Sequence, residues 1–210
     1  MLAAVALVCT CATARAAGGD TVYKVANYPV EASAKNAVAA KDKALADGQS
    51  AALRSLLKRI VPVTAYRQLS NLKGVEAANL LSGVSVRSER NSGTDYIASL
   101  DFSFLKDGVR QTLNGANVPF VDIQAEPTTV ITALRQGNPP TTVNDKSLWR
   151  RAWSSLDLTH SVTPVTLADL TPQIHNDTVD MVLSGDDNGL RILTNEYRTD
   201  RVVLAVARSL

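Results

Sequence analysis

The sequence predicts an α+β protein of two small lobes, each a short mixed or antiparallel sheet with helices packed on it. Three observations carry that prediction. The first is the stretch from Ser33 to Arg59, where Val38, Leu45, Gln49, Ala52, Leu53, Leu56, Leu57 and, just beyond, Ile60 share one face and Lys43, Asp47, Ser50, Arg54 and Lys58 the other. That 3.6-residue period fits a helix and no strand. The second is a pair of alternating runs, Val84–Arg90 and Tyr96–Phe102, joined by Asn91-Ser92-Gly93-Thr94, which read as a hairpin. The third is two apolar runs, Thr128–Leu134 and Arg201–Ala207, separated by segments of helical character.

Of 210 residues, 22 are basic and 20 acidic, giving a formal net charge of +2. No tail concentrates one sign, so charge offers nothing towards a nucleic-acid partner. Residues 2–12 (LAAVALVCTCA) are apolar but too short to cross a bilayer as a helix, and they lead into Ala12-Thr13-Ala14 and Ala14-Arg15-Ala16. A run of this kind before small-x-small sites reads as a signal peptide over residues 1–17, although no basic residue precedes the apolar core. The expectation is export to the periplasm. Cys9 and Cys11 both lie in this segment, and neither follows the residues a lipoprotein site requires. The mature chain would then hold no cysteine, hence no disulfide and no thiolate chemistry.

The first lobe is expected over residues 18–104. Thr21–Val25 alternates as a strand, Asn27-Tyr28-Pro29 turns, and Ser33 caps the long helix. Val61-Pro62 stops that helix, because a residue preceding proline is driven out of helical geometry. Residues 64–82 read as helix interrupted at Gly74, with Val75, Ala78, Leu80 and Leu81 on the apolar side; the hairpin follows. The second lobe is expected over residues 105–210. It begins with a short helix, Phe104–Asn114, carrying Leu105, Val109 and Leu113, and a strand-like Val118-Pro119-Phe120-Val121. After the strand Thr128–Leu134, GNPPTTVN (137–144) reads as an exposed loop and Asp145 as the cap of a helix with a core stripe of Leu148, Trp149, Ala152, Trp153 and Leu156. Lys146, Arg150 and Arg151 form that helix's solvated face. Val162–Leu167 contains Pro164 and so reads as an edge strand. Short helical pieces follow at Ala168–Ile174, Val179–Leu183 and Leu190–Tyr197. Arg201–Ala207 has the continuous apolar character of a strand buried on both faces, so natural sequence is expected to continue beyond Leu210.

The catalytic inventory is sparse. Asp157, His160 and Ser161 are the residue types of a nucleophilic triad, but triads are assembled across a fold rather than within one short stretch. His175 lies near Asp177 and Asp180 without a recognised metal spacing. Asp186 and Asp187 resemble the start of a calcium loop, yet the twelfth position, where a carboxylate is required, is Tyr197; capping the next helix explains them. Trp149 and Trp153, one turn apart, suit a core stripe better than a ligand platform. Asp95, Asp101 and Asp122 fall at strand ends or on exposed faces with no partner for acid–base work. No phosphate-cradling glycine loop occurs, so no catalytic, cofactor-binding or metal-binding residue is assigned.

The order of these elements resembles a known family. An Ala-rich helix ends in Leu56-Leu57-Lys58-Arg59, and a hairpin follows. Then come Phe104…Val109…Leu113…Val118-Pro119, Leu148-Trp149…Ala152-Trp153, and Tyr197-Arg198-Thr199-Asp200-Arg201-Val202-Val203-Leu204. This pattern resembles the bacterial envelope family known as domain of unknown function 2066. The Tyr-x-x-Asp-x-Val-x-Leu ending is also similar to the N-terminal lobe of TolB-type periplasmic proteins. The resemblance implies an exported two-lobed protein and no activity. The leading expectation is a non-enzymatic interaction or assembly module with an envelope protein partner. The alternatives are a carrier binding envelope lipid or glycan between its lobes near Trp149 and Trp153, and a hydrolase using His160 or His175.

Overall fold

The computed structural model describes residues 21–137, 141–143 and 148–208, the last-but-one segment by its backbone. The signal-peptide reading, Cys9, Cys11, Asp145 and Lys146 lie outside these residues. The fold is α+β, built on two small sheets.

In the first sheet, β1 (Lys24–Ser33) and β2 (Leu81–Asn91) flank β3 (Asp95–Phe104), all antiparallel. One face is covered by α1 (Ala37–Ile60). The cap of α1 is not Ser33, which ends β1, but Asn36, whose Oδ1 accepts the Ala39 amide at 2.8 Å. The buried face of α1 runs through Ala40, Ala44, Gly48 and Ala52, with Leu53, Leu56, Leu57 and Ile60 beyond, and Val38 is 71% exposed. Small residues spaced by four let the helix lie close on the sheet. At Gly48 a Cβ would stand 2.6 Å from Val30 Cγ1 and 3.1 Å from Phe102 Cζ. Val61 ends the helix in extended geometry before Pro62, as the sequence requires.

Residues 64–82, read as broken helix, instead wind as 3-10 turns over Val63–Leu72 and Ala77–Leu80, with Gly74 between them at φ +96°. The hairpin forms as expected, with Asn91 opposite Tyr96. The helix α2 (Lys106–Gly115) departs from its expected lobe: Val109, Leu113 and the following Val118 are buried in the first core with Leu56 and Phe102. Residues 118–121 form no strand, and the Val121 amide bonds the last carbonyl of α1, Ile60 O.

The second sheet is mixed and centred on β4 (Thr128–Gln136). Along one side of β4 runs β7 (Val202–Arg208), parallel. The other side is shared by β6 (Val165–Ala168), parallel, and β5 (Thr141–Val143), antiparallel. Part of the expected GNPPTTVN loop is therefore a strand. Ile131 is fully buried under Val179 of α4 (Asn176–Leu183) and Leu193 of α5 (Asp187–Tyr197), which form the second core with Leu170 and Ile174. No helix forms at Ala168–Ile174; β6 reaches Ala168 and a turn follows, pinned by the Tyr197 hydroxyl donating to Asp169 O and accepting from the Thr171 amide. The short α3 (Leu148–Ser154) lies beside β4, and its Trp149 Nε1 donates to Ala205 O in β7 at 3.0 Å.

Candidate functional site: an interlobe cleft and an open strand edge

The loop from Ser155 to Thr163 joins the lobes, and Arg59 holds it. From the last turn of α1, Arg59 donates to Val22 O, Lys24 O and His160 O, while its other terminal nitrogen meets Asp157 Oδ2 at 2.9 Å. Only a planar guanidinium with several fixed donors can serve so many acceptors on two lobes at once. Asp157 Oδ2 also accepts the Ala26 amide, and Oδ1 faces His160 Nδ1 at 2.5 Å. Burial raises the Asp157 carboxyl, but the His160 bond, the Ala26 amide and Arg59 outweigh it and hold the group below its ordinary range. Gln124 adds a second tie, donating to Thr159 O and Ser161 O.

Beside this clamp lies a polar cleft of about 580 Å³, bounded by Asn27 and Arg87 of the first lobe and Arg150, Ser154, Asp157 and His160 of the second. Its first-lobe wall is built by two irregularities. A register shift between Val25 and Tyr28 contains Asn27 at φ +54°, and another between Val86 and Ser88 makes Arg87 the extra residue of a bulge. Both aim at Asp101, which accepts from the Asn27 amide, from Nε and Nη2 of Arg87 and from Lys24 Nζ at 2.8 Å. Asp101 is thus buried and paired, not exposed. Burial raises its carboxyl, and the bonds from Arg87, Lys24 and Asn27 reverse that and hold it well below the carboxylate range. Asp122, also expected on an exposed face, is buried between Arg110 Nε at 2.6 Å and the Tyr23 hydroxyl. Only Asp95 sits as expected, at a strand end bonded by Ser33 and Ser92.

The cleft brings Asp157 and His160 together, and Ser154 and Ser155 line it, but among the described residues no serine hydroxyl bonds the His160 ring. Ser161 Oγ donates to Thr163 O, and Ser154 and Ser155 donate back to Arg151 O and Ala152 O of the preceding helical turn. The paired Asp and His therefore orient one another and lock the loop. His175 begins α4, exposed, with Nδ1 on Gln173 O, and Asp180 is taken by Arg135. Asp186 caps α5 by accepting the Asn188 amide, as the sequence suggests. Among the described residues no cluster of metal-ligating side chains forms, and no helix is long and apolar enough to cross a membrane. The expected tryptophan stripe holds in part. Trp149 and Trp153 meet edge to face at 5.8 Å and are half-buried, whereas Leu148 is 77% exposed and Leu156 also faces solvent.

The strand edges form the second candidate. The Thr129 amide donates to Arg201 O. In a parallel ladder this phase gives Val203, Ala205 and Ala207 the bonds to β4 and turns the N–H and C=O of Val202, Leu204, Val206 and Arg208 outward. β7 is therefore an edge strand, not the buried central one its composition predicts, and Val203 is 47% exposed. Among the described residues the outer edges of β1, β2 and β6 carry protective devices. β1 has Pro29 and a bulge; β2 has two bulges and Arg87, Glu89 and Arg90. The outward Val165 amide of β6 is taken by Leu158 O. β7 has no proline, no bulge and no charge between Arg201 and Arg208.

Compared with protein-family models, with curated proteins and with solved structures, the chain finds no match.

Proposed function

We propose that this chain is an exported periplasmic protein of the kind its resemblance implies, a non-enzymatic interaction module of the cell envelope that accepts an extended segment of a protein partner along the outer edge of β7. The observation that carries this reading is the contrast among edges. The edges of β1, β2 and β6 are bulged, charged, interrupted or covered, whereas β7 presents an apolar strand whose alternate backbone groups face outward. A partner strand gains main-chain bonds there, and Val and Ala side chains on both faces select its sequence. Residues 2–17 support export by their apolar run and small-x-small sites.

The test places a photo-crosslinking residue at Val203 in the full chain expressed in its native envelope. A single polypeptide adduct is expected. Val206→Pro removes an outward amide without touching the β4 ladder and should abolish the adduct, and Val206→Lys should weaken it. Circular dichroism of both variants should match the parent. An adduct that survives both substitutions, or none in cells where the protein is exported, overturns the proposal.

A further inference from the structure

A groove of about 520 Å³ runs between the second half of α1 and the 3-10 segment Val63–Leu72 with the residues after it. None of its residues belongs to β7, and no residue lines both it and the interlobe cleft. Leu53 and Leu57 form its floor, and Leu69, Leu72 and Val75 its facing wall. The spacing Tyr66, Leu69, Leu72 follows from the 3-10 helix itself, which stacks every third side chain on one side. Tyr66 is fixed there by its hydroxyl, which donates to Lys58 O at 2.6 Å.

The rim is charged with one sign. Arg54, Lys58 and Lys73 line the groove, all three exposed, and no acidic side chain lines it. None of the three forms an ion pair among the described residues. Lys58 lies in the last turn of α1, where a cation also suits the helix dipole, so Arg54 and Lys73 carry the argument. The groove has the size of a small-molecule site. An apolar slot with a cationic mouth matches a molecule of one apolar chain and one anionic end.

We propose that this groove binds a single-chain lipid with an anionic head group, the acyl chain lying along Leu53, Leu57, Leu69 and Leu72 and the head group meeting Arg54 and Lys73. The proposal goes beyond the strand-edge reading and does not depend on it. It also moves the lipid site from the tryptophans of α3, where the sequence suggests it, to the first lobe.

The test is calorimetric titration of the full chain with myristoyl lysophosphatidylglycerol below its micellar concentration, with myristoyl lysophosphatidylcholine as the partner of equal chain and no net charge. One-to-one binding of the anionic lipid is expected, about tenfold tighter than the zwitterionic one. The double variant Arg54→Gln/Lys73→Gln should lose that preference while melting within a few degrees of the parent. Leu69→Trp, which fills the slot, should abolish binding of both lipids. Equal affinity for the two lipids, binding that survives Leu69→Trp, or no binding by a folded parent overturns the proposal.

Discussion

Replacing Arg59 with alanine tests the physical link between the lobes. The substitution removes four bonds: to Val22 O and Lys24 O within the first lobe, and to His160 O and Asp157 in the second. Arg59 and Asp157 side chains are each only 15% exposed, so water replaces the lost partner poorly. Stranding a buried charge by deleting its partner costs about 3–5 kcal/mol, and an exposed pair is worth about 0–1 kcal/mol. A pair this enclosed, retaining the Ala26 amide and His160 on Asp157, should lie between, at about 2–3 kcal/mol. For a chain of this size that lowers the melting temperature by roughly 4–12 °C. Arg59→Lys should recover less than half, because an ammonium cannot span acceptors on two lobes. The assay is urea unfolding followed by far-ultraviolet circular dichroism and by tryptophan fluorescence, since both tryptophans lie in the second lobe. The two transitions should coincide in the parent and separate in Arg59→Ala, the tryptophan signal moving first. A loss below about 0.5 kcal/mol with coincident transitions would refute the clamp.

Acid should act on the Asp157 contact and on the Asp101 cluster of the cleft wall. Asp157 and Asp101 both titrate below their unfolded values, so their contribution is complete above about pH 5 and is lost as pH falls below about 4. Urea midpoints measured from pH 6 to pH 3 should therefore fall, and Asp101→Asn should flatten the fall. Gly48→Ala should destabilise despite alanine's better helix propensity, because overpacking against Val30 and Phe102 costs about 1–3 kcal/mol and the propensity gain is about 1 kcal/mol. A stabilised Gly48→Ala would show that α1 can rise off the sheet freely. Arg198, the C-cap of α5, holds φ +50°, so Arg198→Gly should raise the urea midpoint by the equivalent of about 0.5–1 kcal/mol.

Elements governed by local periodicity were legible in the sequence. The helix α1 and the β2–β3 hairpin follow from spacing and from a four-residue turn. The cleft was not legible, because its parts are set by register. Nothing local to Asp101 says that a bulge will send Arg87 over it, and Arg59 and Asp157 lie 98 residues apart. The misreading of β7 has a more general cause. Side-chain pattern reports what covers the two faces of a strand, and β7 has α5 residues on one face and Trp149 on the other. It is silent on whether both edges are paired. The groove did leave a signal: Tyr66, Leu69 and Leu72 at intervals of three are the mark of a 3-10 stripe, which an α-helical reading of the segment conceals.

The central claim, that β7 offers an open edge, is tested most directly by amide hydrogen exchange resolved residue by residue along residues 202–208. The account predicts alternation in the isolated protein: slow exchange at Val203, Ala205 and Ala207, whose amides bond β4, and fast exchange at Leu204, Val206 and Arg208. Uniform protection along the strand would mean that its outer edge is already covered, and would contradict the account.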